Sequence, residues 1–208
     1  GDHHPADPRE PTARIRVAND WIHGVAVEYR SGVGIWGGYL ADTTIAHNEL
    51  ADLPYTGISL GWGWGDRDQP PTPAAGNLVE ANFVHDVMQA LGDGAGIYLL
   101  GAQPGTVVRG NVVLHVAGFG GAIYLDDGSR DETVEGNLAF DTHGWPAMLK
   151  GQNLTVRDNL WDSYSDWSFY KFDGTRSGER VIHDLAEAPA ALLASAGLEQ
   201  EYRALLRP

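Results

Sequence analysis

Apolar and polar positions alternate along most of this chain in short runs, and the runs recur in a fixed form. The unit apolar-x-x-Asn-apolar-x-x-Asp/His appears as TIAHNELAD (Asn48), LVEANFVHD (Asn82), VVRGNVVLH (Asn111), TVEGNLAFD (Asn137) and TVRDNLWDS (Asn159). An irregular earlier copy, RIRVANDWIH, carries Asn19, and the Asn-to-Asn steps are 29, 34, 29, 26 and 22 residues. Between these copies lies a second element: GVGIW (Ile35), TGISL (Ile58), AGIYL (Ile97), GAIYL (Ile123) and PAMLK (Met148) read as small residue, apolar, variable, apolar. Each unit is thus two or three short strands of period two, punctuated by Gly, Asn and Asp, with no helical stretch between them.

That organisation predicts an all-β chain folded as a parallel β-helix of about five to six coils, each stacking on the next at about 4.8 Å. Asn at one place per coil has a physical reason. It tolerates the left-handed corner between two strands, and stacked amides hydrogen-bond along the ladder. Leucine-rich repeats use Asn similarly, but their L-x-x-L-x-L signature is missing, and a propeller needs about 40 residues per blade. The flanking segments differ. Residues 1–12, starting GDHHPADPREPT, read as a linker, 13–183 as the solenoid, and 184–208 as a C-terminal helical tail broken at Gly197. The tail is expected to pack on the coil flank or cover an open end.

If Ile35, Ile58, Ile97, Ile123 and Met148 point inward, then Trp36, Ser59, Tyr98, Tyr124 and Leu149 form one outward column. Gly61, Leu100, Asp126 and Gly151 form the next. This strand face and its flanking loops are the expected place for binding groups. The long insertion after Ile58, GWGWGDRDQPPTPAAG, sets Trp62 and Trp64 on one side of an extended segment, where a flat aromatic platform suits a sugar ring. Asp126 and Asp127 follow directly in GAIYLDDGS, and Asp93 in LGDGAGIY opens the preceding coil's equivalent strand. Two carboxylates across one groove are what glycoside hydrolysis requires, one protonating the leaving oxygen and the other attacking or activating water. Against this, Asp-Asp-Gly is also a common turn former, and Asp86 reads better as a corner cap. His47, His85 and His115 fall near the Asn corners and read as structural. His143, with Trp145, leads back to the strand face.

Composition narrows the chemistry. The 208 residues carry a net charge of −14, so phosphate backbones are repelled and nucleic acid is a poor partner. No apolar run approaches the length of a membrane span, and no signal peptide opens the chain. The linker-like start predicts part of a longer protein. Cys is absent, so no disulfide framework or Cys-ligated zinc is available, and no HxxxH or HxH spacing supports a His site. Asp66 and Asp68 with Asp126 and Asp127 lack any ligand loop of known spacing for Ca²⁺, so no cofactor is expected. Lys occurs only at 150 and 171, which leaves little for a polysaccharide lyase, whose base is commonly Arg or Lys and whose uronate substrate needs cationic subsites.

The runs HNELADLPYTGISLGWGWG, DGAGIYLLGAQPGTVVRGN and GAIYLDDGS resemble the right-handed parallel β-helix proteins of the pectate-lyase-like superfamily. More narrowly they are similar to the bacterial β-helix enzymes grouped as glycoside hydrolase family 141, which includes α-fucosidase and xylanase activities. The resemblance covers about residues 33 to 160, and AGLEQEYRALL is similar to the C-terminal tail of such proteins. It implies a secreted carbohydrate-active enzyme, extracellular or periplasmic, with Asp93 and Asp126 or Asp127 as acidic candidates. Trp62, Trp64, Tyr98, Tyr124, His143 and Trp145 would then line the sugar subsites. The chain is shorter than such enzymes, and β-helices also serve as adhesins and binding scaffolds. The expected function is therefore hydrolysis of a polysaccharide or oligosaccharide. A non-catalytic carbohydrate-binding or adhesin-like solenoid is the alternative, and a polysaccharide lyase the third reading.

Overall fold

The computed structural model describes residues 12–62, 72–165 and 168–206. Among them the chain winds as a parallel β-helix whose coils build three long sheets, beside a two-stranded one that pairs Thr12–Ala13 with Leu40–Ala41. Seven parallel strands run from Arg16–Ala18 to Phe172–Ser177, seven from Trp21–His23 to Arg180–Val181, and five form the third sheet. That third sheet stacks Ile35–Gly37, Ile58–Leu60, Ile97–Leu99, Ile123–Leu125 and Ala147–Leu149. Five layers are therefore complete, and two later layers continue in the first two sheets only.

The interior is a set of stacked apolar columns, one per sheet. Ile45, Val79, Val108, Val134 and Val156 line the first sheet's inner face, and Leu50, Val84 and Val113 the second's. Each such side chain contributes roughly 1.5–3 kcal/mol through burial. The glycine ahead of each of the first three third-sheet strands (Gly34, Gly57 and Gly96) also has a cause. A Cβ on Gly57 would lie 2.6 Å from the Gly96 carbonyl oxygen of the next layer, and one on Gly96 would lie 2.9 Å from that of Ala122. Close coil stacking thus excludes a side chain pointing along the axis.

The Asn ladder forms, with a correction to its geometry. Asn48, Asn82, Asn111, Asn137 and Asn159 are fully buried. Along the series each Nδ2 donates to the next Oδ1, at 2.9 Å for Asn48 to Asn82 and 3.0 Å for Asn82 to Asn111. The left-handed corner, expected at these Asn residues, falls instead on the residue before each: His47 (φ 56), Ala81 (51), Gly110 (61), Gly136 (62) and Asp158 (57). In the first coil Asn19 takes that corner (φ 63), and Asp20 holds the ladder position, donating its N–H to Asn48 Oδ1 at 3.0 Å. The Asn is wanted for its amide, while its neighbour absorbs the turn.

The C-terminal segment contains the helix Ala190–Ser195 and packs on the outer face of the second sheet, against Val112, Leu114, Leu138 and Leu160. It runs back along the coil flank. Gly197 N–H donates to the Ala81 carbonyl at 2.9 Å, and Glu199 and Asn19 exchange bonds of 2.8 and 2.9 Å. Of the two expected placements, the flank is the one adopted. No helix among the described residues is long and apolar enough to cross a membrane.

Candidate active site

Strand register on the third sheet fixes what faces outward. Trp36 pairs with Ser59, Ser59 with Tyr98, Tyr98 with Tyr124 and Tyr124 with Met148. The column was expected to end at Leu149, with Gly151 beside Asp126. Both positions are off by one. Leu149 is buried in the core, Met148 takes the column, and Lys150 stands beside Asp126. A single-residue slip moves every side chain to the opposite face.

The turns after the strands make one rim of a groove, with Trp62 and, two layers on, Asp127. Gly101, between them, donates its N–H to the Asp127 carbonyl at 3.1 Å. The loops before the strands make the other rim, where Tyr55, Asp93, Phe119 and Trp145 occupy successive layers. The Tyr55 hydroxyl donates to the Asp93 carbonyl at 2.7 Å, and Asp93 N–H donates to the Phe119 carbonyl at 2.9 Å. These bonds fix Asp93 in a left-handed conformation (φ 57) with its carboxyl exposed.

Asp126 sits at the groove edge, 6% exposed. The Tyr98 hydroxyl donates to its Oδ2 at 2.5 Å, and the Lys150 ammonium grips its Oδ1. Lys150 also reaches Asp127 Oδ1 at 3.2 Å and lies 5.6 Å from the centre of the Tyr124 ring. Burial by itself pushes the Asp126 carboxyl up, but the bonds from Lys150 and Tyr98 outweigh it and hold the group below its ordinary value. Burial likewise acts to lower Lys150, and Asp126 overcomes it, so the ammonium is held well above its usual range. The Tyr124 hydroxyl is pushed up by burial first and then by Asp126, with a smaller contribution from Asp93. Asp93 and Asp126 thus act on one hydroxyl from the two rims.

Next to this cluster a cleft of about 430 Å³ opens between Phe119, Tyr124, Trp145, Met148, Lys150 and Tyr170. Its walls are aromatic: the Phe119 and Trp145 rings pack at 4.5 Å, and Tyr124 is backed edge-on by the buried Tyr98 at 5.1 Å. Below the turn that carries Asp126 and Asp127 lies Glu132, 2% exposed. Its carboxyl lies near the backbone of Arg130 and Gln103 and the Ser129 hydroxyl, yet neither oxygen finds a well-formed hydrogen bond, and burial pushes it well above the usual carboxylate range.

Of the residues singled out from the sequence, the groove brings together Asp93, Asp126, Asp127, Tyr98, Tyr124 and Trp145. Trp62 stands farther along the same rim, its ring 5.8 Å from Trp36 and perpendicular to it. Trp64, Asp66 and Asp68 lie outside the described residues. His143 is exposed two residues before Trp145, its N–H donating to the Val116 carbonyl at 2.8 Å. Asp86 occupies a left-handed corner (φ 51) on the second sheet, 2.7 Å from His85 Nδ1. Among the described residues no three His, Asp or Glu side chains converge as a metal cage. Lys150, Phe119, Tyr170 and Tyr55 were missed. Phe119 had a positional signal, since it lies four residues before Ile123 as Asp93 lies four before Ile97.

Fold and site define a parallel β-helix with an acidic, aromatic-walled cleft on one strand face. No protein-family model matches the chain, and no curated protein does. A solved structure named "Glycoside hydrolase" superposes with a TM-score of 0.70 at 27% identity, over 98% of this chain and 31% of that one. The chain is therefore similar to part of a glycoside hydrolase and spans about a third of its length.

Proposed function

We propose that this chain carries the cleft of a glycoside hydrolase acting on a neutral polysaccharide or oligosaccharide, working extracellularly or in the periplasm. The observation that carries the reading is Asp126, a carboxylate held ionised at the groove edge by Lys150 and Tyr98, and the exposed Asp93 of the loop in the preceding layer is the second carboxyl this reading assigns. In this reading Asp93 gives its proton to the glycosidic oxygen as the C–O bond breaks. Asp126 either bonds to the anomeric carbon, forming a glycosyl-enzyme that water deprotonated by Asp93 then cleaves, or takes a proton from the water that attacks that carbon directly. Tyr98 and Lys150 position Asp126, and Phe119, Tyr124 and Trp145 offer apolar faces to the sugar.

A neutral substrate follows from charge. Asp93, Asp126 and Asp127 face one lysine, and the whole chain carries −14, so uronate or sulfate groups are repelled. A lyase is disfavoured on the same ground and on a second: a lyase base must accept a proton, and Lys150 is locked as an ammonium between two carboxylates. The binding-scaffold reading has one observation in its favour, the same ion pair, which would also make a stable turn. Asp126→Asn separates the two. Hydrolysis of a neutral glycan should fall by roughly a thousand-fold or more when a reacting carboxylate is lost, with glycan affinity retained. A protein that binds glycans without any release of reducing ends is a scaffold.

A further inference from the structure

The outward column that forms the cleft floor does not stop at the carboxylates. It continues through Ser59 to Trp36, three layers before Tyr124. At about 4.8 Å per layer that is roughly 14 Å along the helix axis. Trp36 is 57% exposed although it is one of the largest apolar side chains in the chain. Trp62 stands perpendicular to it at 5.8 Å, so that Trp36 forms a floor and Trp62 a wall. Gly38 lies beneath the pair, and a Cβ there would lie 3.3 Å from the Trp36 ring. Between this corner and Tyr124 the column contains Ser59 and Tyr98 and no charged side chain. The column is therefore continuous in register, uncharged between the two clusters and aromatic at both ends, with Ser59 and Tyr98 each 8% exposed between them.

We propose that Trp36 and Trp62 form a distal glycan-binding subsite, which holds the same neutral polysaccharide chain that enters the carboxylate cleft. This rests on the hydrolase reading for the identity of the ligand. Its own content is that the ligand lies along the helix axis and is long enough to span both aromatic clusters. A chain crossing the coils laterally, or a single sugar confined to the cleft beside Tyr170, would never touch Trp36. The apolar face of a pyranose stacks on an indole, and the second indole at right angles limits how the ring can slide.

The test is affinity electrophoresis of the whole chain through native gels cast with soluble neutral polysaccharides (galactomannan, arabinoxylan, mixed-linkage β-glucan), with polygalacturonate as the anionic control. The Asp126→Asn background keeps the gel polymer intact. Retardation by at least one neutral polymer is expected, weakening about five-fold in Trp36→Ala and largely kept in Trp36→Phe. Because Trp36 is exposed, its removal should leave the fold unchanged, which circular dichroism checks. If Trp36→Ala migrates like its parent while Trp145→Ala loses retardation, the distal subsite is wrong and the cleft reading stands. If no neutral polymer retards the parent, the subsite is overturned as well. The hydrolase reading is judged separately, by reducing-end release with the unmutated protein.

Discussion

Asp126 shows how one residue's surroundings decide its chemistry. A carboxyl this buried would by itself be neutral near its ordinary working range. Lys150 and Tyr98 reverse that. Since the folded-state value is depressed, this group contributes stability above the ordinary carboxylate range, lost as pH falls through the depressed value. Lys150→Met removes the ammonium and leaves burial opposed only by the Tyr98 hydroxyl and the Asp127 backbone. The variant should lose about 3–5 kcal/mol at neutral pH, part of it regained on acidification, as urea unfolding at several pH values would read. Equal stability at all pH values would mean that Lys150 does not hold the carboxylate. Glu132 behaves in the opposite sense. Burial raises its value, so its contribution is full below about pH 4.3 and is lost as pH rises through the raised value. Glu132→Gln should flatten the decline of melting temperature with rising pH, and a decline identical to the parent's would count against a neutral buried acid under the Asp126–Ser129 turn.

At the level of elements, most of the fold was legible because each coil repeats two constraints. One is a small residue before the inward Ile, imposed by the carbonyl of the next layer. The other is an Asn whose amide bridges layers. Where a copy broke the pattern, the reading broke with it. In PAMLK the inward position is Ala147, too small to register as apolar, so Met148 was placed inward and Lys150 dropped out of the site. The left-handed corner was assigned to Asn, although Ala81 and His47 show that it belongs to the preceding residue. Glu132 lay in SRDE, which reads as a solvated turn, and nothing in its sequence neighbours signals burial. The ladder itself makes a firm prediction. Asn111 donates to Val79 O and Asn137 Oδ1 and accepts from the N–H and Nδ2 of Asn82. Asn111→Ala leaves the buried Asn82 N–H without its acceptor and removes one of the two bonds made by Asn82 Nδ2 and by Asn137 Oδ1, so it should cost about 3 kcal/mol or more, seen as a lower urea midpoint at unchanged slope. A loss under about 1 kcal/mol would mean that the ladder adds little beyond the backbone sheet.

For the whole molecule, the solenoid supplies a straight track. Coils stacked in register place residues from distant parts of the chain in one line, which is how Trp36, Tyr98, Tyr124 and Met148 come to share a face. The tail braces the opposite flank from the last coils back to the first, through Gly197 and Glu199. Charge acts at this scale too, since −14 spread over the chain disfavours acidic polymers whatever the local contacts. The claim at the centre is that Asp126 and its surroundings hydrolyse a neutral glycosidic bond. The most direct measurement follows products released from neutral polysaccharides and their oligosaccharides, scoring reducing ends and ultraviolet-absorbing unsaturated ends together, for the parent and for Asp126→Asn. Reducing ends alone from the parent, and a thousand-fold lower rate in Asp126→Asn, are the predicted result. Unsaturated ends, or release by Asp126→Asn at the parent's rate, would contradict it.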